Sequence, residues 1–118
     1  MYKYGFEKLE IWQIAVKLSV VVYEITKKYP SEERFGITNQ MRRASTSISA
    51  NIAEGHSRIS SKEKARFLEI SYGSLMEVLN FLILSKELRY INENELLMLR
   101  KTVEELSNKI NAYHKKLK

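Results

Sequence analysis

QMRRASTSISANIAEG, from Gln40 to Gly55, is the stretch on which the fold turns. The chain is otherwise rich in Leu, Ile and Val, yet this stretch is filled with Ser, Thr, Ala, a double Arg, Asn and Glu. A loop, a catalytic segment and a closely packed helix each account for that composition, and periodicity separates them. At about 100° per residue, Met41, Ile48 and Ile52 fall on one narrow apolar stripe, with Ile37 in line before it. Gln40, Arg43, Ser47, Asn51 and Glu54 form a polar stripe within an arc of roughly 80°. Ala44 sits between the two. The remaining side carries Thr46, Ser49, Ala50 and Ala53, with Arg42 as its one long side chain. The segment reads as a helix with a core face, a polar seam and a thin back.

Each of those faces carries an expectation. Small residues on a helix back let another helix approach closely, where a free surface would more usually carry Lys and Glu. The thin back therefore points to a contact, within the bundle or with another subunit. In the polar seam, Arg43, Asn51 and Glu54 are expected to satisfy one another, with Glu77 a further partner for Arg43, because a buried charge must be paired. That structural network is favoured over a ligand site. Gly73 lowers helix propensity by about 1 kcal/mol relative to Ala, so it is expected to permit a close crossing.

Outward from this helix, three more segments have helical periodicity. The first spans residues 6–28 and stops before Tyr29-Pro30, since the residue preceding Pro disfavours the helical region. Ile11, Ile14, Leu18, Val22 and Ile25 form its stripe; Val16, Val20 and Val21 extend the apolar surface to a second face, as in a helix with two neighbours. The opening stretch itself becomes helix 38–55, with Thr38 its expected N-cap. Ser60 and Glu63 form an S-x-x-E capping box for helix 60–89. Asn92 and Glu95 do the same for helix 92–117. In that last helix Leu96, Leu99, Val103, Leu106, Ile110, Tyr113 and Leu117 alternate in steps of three and four, the seam of helices packed at shallow angles. Lys109, Lys115, Lys116 and Lys118 gather toward its end, where the helix dipole favours positive charge. Short connections between amphipathic helices predict an all-α, antiparallel up-and-down four-helix bundle over 1–118, a single domain.

Composition narrows the rest. A chain of 118 residues buries a core without disulfides or a structural metal. Four Gly and one Pro are too few for a turn-rich β fold. The absence of Cys removes disulfides, thiol nucleophiles and thiolate metal sites together. The apolar run Ile14 to Ile25 is interrupted by Lys17 and Glu24 and is too short for a bilayer, so no membrane association is expected. MYKYGFEKLEIW has neither the h-region nor the cleavage site of a signal peptide, so a cytoplasmic protein is expected. The net charge of +6 makes phosphate or another anionic surface a plausible partner, but a solvated basic surface is the equal alternative.

The blocks Gln40-x-Arg42-Arg43, Ser47-Ile48, Asn51-Ile52-Ala53-Glu54-Gly55 and Gly73-Ser74-Leu75-x-Glu77 resemble the bacterial four-helix-bundle family of the ribosomal RNA intervening-sequence proteins. Phe6, Leu9 and Trp12 are similar to its opening motif, and Pro30, Glu33 and Gly36 to its first connection. Phe35, where the family often has Tyr, and Ser71, where Ala is usual, are mild departures. The resemblance implies a ring-like homo-oligomer, a homopentamer, and no established catalytic residues. It also implies a likeness in fold to the accessory proteins of diversity-generating retroelements, which bind nucleic acid and a reverse transcriptase.

Three function classes follow. The first is a nucleic-acid-binding oligomer with Arg42, Arg58, Lys62, Lys64 and Arg66 on the phosphates, multiplied by a ring and led by the backbone with little sequence specificity. Its partner is RNA or DNA. The second is a scaffold or accessory subunit that acts through contacts with another protein. The third, an enzyme, has the least support: His56 and His114 lie far apart, no metal-binding His/Glu pair occurs, and Ser57 beside His56 fits a helix-terminal turn. No cofactor or metal is expected. The seven Tyr are scattered, which favours core and rim packing over base stacking.

Overall fold

The structure, a computed structural model, describes residues 1–117; Lys118 of the expected basic C-terminal group lies outside them. Four helices, α1 (Glu10–Thr26), α2 (Ile37–His56), α3 (Ser61–Glu87) and α4 (Glu93–Lys116), pack as a four-helix bundle, with no strand among the described residues. Each helix touches its neighbours in chain order, and α4 closes the circuit on α1. The contacts run antiparallel. Lys109 meets Glu10 at one end of the α1–α4 pair and Lys28 meets Glu95 at the other. Ser71 and Ser74 of α3 meet Ile48 and Ser47 of α2 in reversed order.

The core follows the expected stripes except in α1, where Ile14 and Ile25 are half-buried at its edge and Ala15 and Thr26 occupy the buried positions beside Ile11, Leu18 and Val22. Leu18, Met41, Ile48, Ile52, Leu75, Leu82, Leu106 and Ile110 are all but fully buried. All five leading residues of the α4 seam, Leu96 to Ile110, are buried, and Tyr113 and Leu117 pack at its edge. By length and composition α3 would also qualify as a membrane-crossing helix, a property the sequence reading had not assigned to it. A bundle's core helix passes the same test, and here Leu68, Leu75, Val78 and Leu82 face the core.

Helix ends differ from expectation for local reasons. The first helix does not begin at Phe6: Gly5–Lys8 form a 3-10 turn, Leu9 is extended, and α1 starts at Glu10. The break folds Phe6 back against Trp12, ring centroids 5.2 Å apart. Thr38 is not the cap of α2. It is buried within the first turn, Gly36 holds the cap position, and Glu33 from the preceding turn accepts the Ile37 N–H at 3.3 Å. At α3 only half the expected box forms: Ser60 Oγ accepts the Glu63 N–H at 3.1 Å, while the Glu63 carboxylate turns to Arg66. At α4 both halves form, Asn92 Oδ1 accepting from Glu95 N–H and Glu95 Oε1 from Asn92 N–H. α3 stops at Glu87, two residues early, because Arg89 takes a left-handed conformation (φ 66°) and Tyr90 N–H reaches back to the Ser85 carbonyl at 2.8 Å.

The two informative glycines behave oppositely. A Cβ on Gly55 would stand 2.7 Å from Phe67 Cβ, so this is where α2 and α3 come closest to exclusion. A Cβ on Gly73 would meet nothing within 4 Å; the expected close crossing at Gly73 does not occur within the chain. Gly55→Ala should therefore destabilise the fold by about 1–3 kcal/mol through overpacking. Gly73→Ala should stabilise the isolated chain by about 1 kcal/mol through helix propensity. Urea denaturation of both variants under identical conditions checks the pair.

The α4 cap is linked to pH. The hydrogen bond from Asn92 N–H, then the Lys28 ammonium, hold the Glu95 carboxyl below its ordinary value of 4.5. A depressed carboxyl contributes stability above its unfolded pKa and loses it as pH falls through the folded one. The contribution is thus whole at neutral pH and fades below about 4.5. Glu95→Gln should flatten the acid limb of stability as pH falls below about 4.5, measured as thermal midpoints on both sides of that pH.

Candidate nucleic-acid interface

Antiparallel packing gathers at one end of the bundle segments that are remote in sequence: the N-terminal turn, the end of α2, the start of α3 and the end of α4. Leu9, His56, Lys64 and Tyr113, one from each, line a common pocket there. Lys3, Lys8, Lys17, Arg58, Lys62, Lys64, Arg66, Lys109, Lys115 and Lys116 belong to this half, against Glu7, Glu10, Glu54, Glu63, Glu69 and Glu105. In the opposite half Lys27, Lys28, Arg34, Arg42, Arg43, Lys86, Arg89, Arg100 and Lys101 are nearly balanced by Glu24, Glu32, Glu33, Glu77, Glu87, Glu93, Glu95 and Glu104. The positive excess is polarised along the bundle axis, which net charge alone did not reveal. Two helix C-termini, those of α2 and α4, lie at the basic end, where the dipole favours cations.

The five residues expected on phosphates are divided by the fold. Arg58, Lys62, Lys64 and Arg66 stand together at the α2–α3 turn. Arg42 does not join them. It lies sixteen residues earlier on α2, roughly 24 Å up the helix at the standard rise. Its Nε–H donates to Thr26 Oγ1 at 2.8 Å, it reaches the Tyr23 carbonyl at 3.3 Å, and its guanidinium covers the Tyr23 ring at 4.6 Å. Arg42 clamps α1 to α2, apart from the four cations at the α2–α3 turn.

At the turn, Arg58 and Arg66 stack on the buried Phe67 ring, 4.8 and 5.1 Å from its centroid. Arg58 pairs with Glu54, and Arg66 with Glu63 at 3.5 Å. These carboxylates are about half exposed, and such surface pairs contribute only about 0–1 kcal/mol, so a phosphate competes with them readily. Lys64 donates to the His56 carbonyl at 2.9 Å, which ties α3 to the last turn of α2. Lys62 is exposed and forms no ion pair among the described residues. The site is thus two guanidiniums oriented by Phe67, one free ammonium and one half-committed ammonium, at the α2–α3 connection and the first turns of α3.

The expected polar network also divides. Asn51 Nδ2 donates to the Ser47 carbonyl and hydroxyl at 2.8 and 2.9 Å, and Ser74 donates to the same Ser47 hydroxyl at 2.9 Å. Glu54 leaves the seam for Arg58. Arg43 and Glu77 line the same open groove of about 280 Å³ between α2 and α3, without an ion pair between them. The seam lies at the rim of the bundle, where solvent satisfies charge, so the burial that demanded pairing is absent.

Two hydroxyls, one buried and one half-buried, bridge helices. Ser71 Oγ donates to the Ile48 carbonyl and Ser19 Oγ to the Ser45 carbonyl, both at 2.9 Å. Ser71, the departure from the expected Ala, thereby gains an interhelix bond. Among the described residues no group of three or more His, Asp or Glu side chains is placed to hold a metal, and His56 and His114 serve separate sites. His114 meets Glu69 at 2.7 Å; the His56 ring lies beneath Gly5.

The family described as the 23S rRNA-intervening sequence protein matches residues 7–112, and the chain belongs to that family. A solved protein of unknown function from the S23 ribosomal protein family of Bacteroides thetaiotaomicron VPI-5482 has the same fold. The TM-score is 0.80 at 20% identity, covering 89% of this chain and 98% of that one. No curated protein matches.

Removing the Arg42 clamp should affect stability and spare the basic end. Arg42→Ala is expected to lower stability by about 1–3 kcal/mol, from the lost charged hydrogen bonds. The measurement is a denaturant midpoint set beside nucleic-acid affinity, with less than a twofold change expected in the latter.

Proposed function

We propose that this chain is a non-enzymatic, cytoplasmic homo-oligomer that binds RNA or DNA through its basic end with little sequence preference. The observation that carries the proposal is the convergence of Arg58, Lys62 and Arg66 with the lysines of both chain termini at one end. Lys62 and Arg66 stand on α3 and Arg58 on the short connection before it, and none of them forms the base-reading surface of a known recognition module, so contact is with the phosphate backbone.

Assembly into a ring, pentameric as the family resemblance implies, would repeat this basic end around one axis and multiply weak contacts. Supporting assembly are Val20 at 57% and Met98 at 69% exposed, apolar side chains on α1 and α4 that the single chain leaves in water. Gly73 and Ala50 supply thin, exposed positions on α3 and α2 where a second copy fits closely. The same exposed apolar residues favour the second reading, a scaffold that uses them to dock a different protein.

Fluorescence anisotropy against a structured RNA and a DNA duplex tests the nucleic-acid reading. Affinity should fall by orders of magnitude between about 50 and 200 mM salt, as several released counterions require. It should fall further in the combined Arg58→Ala, Lys62→Ala, Arg66→Ala variant. Absence of binding at the lower salt would sink this reading in favour of the scaffold.

A further inference from the structure

The fold sorts the tyrosines. Tyr29 and Tyr90 pack on each other with centroids 5.1 Å apart, Tyr72 and Tyr113 pack against the core, and Tyr23 lies under Arg42. Tyr2 and Tyr4 are different: they are 76% and 61% exposed. Their rings meet edge to face, centroids 5.0 Å apart and planes at 86°, an arrangement that leaves aromatic faces open to solvent. Lys3 stands between them in the chain.

The segment that carries them is anchored at the basic end. Tyr4 N–H donates to Glu7 Oε2 at 2.8 Å, and Gln13 holds the Glu7 carbonyl at 2.9 Å. Gly5 lies so close over His56 at the end of α2 that a Cβ would stand 2.7 Å from Nε2. The segment that carries the two exposed rings is therefore seated on the end of α2, two residues before Arg58.

We infer that Tyr2 and Tyr4 form a stacking platform for unpaired bases, and that the nucleic acid bound at this end is single-stranded. The inference rests on the nucleic-acid reading above and specifies its substrate class. In a duplex, base faces are occupied by neighbouring bases and only the phosphates are available. A single strand offers phosphates to Arg58, Lys62 and Arg66 and base faces to the two rings. Stacking accepts every base, which accords with a site that has no base-edge reader. Aromatic and basic side chains also suit an anionic membrane surface, and the experiment separates the two.

The full chain is titrated against fluorescein-labelled single strands of RNA and of DNA, about 16 nucleotides long, against the corresponding duplex, and against vesicles of phosphatidylcholine and phosphatidylserine. Single strands of either sugar should bind about tenfold or more tighter than the duplex at equal salt. Tyr2→Ala with Tyr4→Ala should weaken single-strand binding by about ten- to a hundredfold, as loss of one stacked base does. The same pair should change duplex binding by less than about twofold and leave the salt slope intact, because no phosphate contact is lost. Tyr2→Phe with Tyr4→Phe should restore affinity, and circular dichroism should be unchanged throughout, since neither ring is part of the core. Duplex binding equal to single-strand binding, or indifference to the Ala pair, overturns the platform and leaves the backbone-binding function standing. Binding to vesicles without binding to any strand overturns both, as does failure of every nucleic acid to bind at low salt.

Discussion

The close approach of α2 and α3 is the constraint on which the rest of the structure depends. Ser71, fully buried on α3, donates its hydroxyl to the Ile48 carbonyl of α2, a bond possible only when the two backbones lie near each other. Ser74 repeats the contact one turn along through Ser47, and Gly55 admits Phe67 where any side chain would collide. Small residues contribute little apolar area themselves. Alongside them Met41, Ile48, Ile52, Leu68, Leu75 and Val78 join one buried core, and burial of each of those side chains is worth about 1.5–3 kcal/mol. The seating of Phe67 in turn sets the positions of the two guanidiniums that stack on it. Core packing and the basic turn are thus consequences of one helix pair.

The α1–α4 side is built differently. Ion pairs join its two ends, Lys109 with Glu10 and Lys28 with Glu95, while between them a groove of about 360 Å³ runs past Ile14, Lys17, Val21 and Thr102. Exposed pairs of this kind add little stability. The bundle therefore has one side closed by interlocking small residues and one held mainly by the shared core. Val20, Val21 and Met98 reach solvent on the helices of the looser side.

Electrostatics at the basic end follows from topology more than from local sequence. An up-and-down bundle places the last turn of α4 beside the first turn of α1 and the α2–α3 connection. Lysines more than forty positions from Arg66 thereby join its surface. The local carboxylates are engaged in exposed pairs that exchange easily, while the structural cations, Arg42 and Lys64, are bonded to main-chain carbonyls or to a hydroxyl. Geometry separates cations that hold the fold from cations free to meet a ligand, a distinction that residue type cannot make.

Periodicity in the amino-acid sequence was sufficient for the four helices, most of their buried stripes and the α4 cap, because each depends on residues three or four apart. It also marked Gln40 to Gly55 as a helix with a thin back, and the family blocks were legible in it. Tertiary structure alone decided what crosses between elements. It made Glu33 the acceptor for α2 in place of Thr38, turned Glu54 from the seam to Arg58, and left Gly73 open while crowding Gly55. It set Arg42 in the α1–α2 seam, apart from Arg58, Lys62 and Arg66, and brought the segment of Tyr2 and Tyr4 to the basic end. These outcomes rest on distances between segments far apart in the chain. A one-dimensional pattern contains the residues that take part, but the packing of helices sets which of them meet.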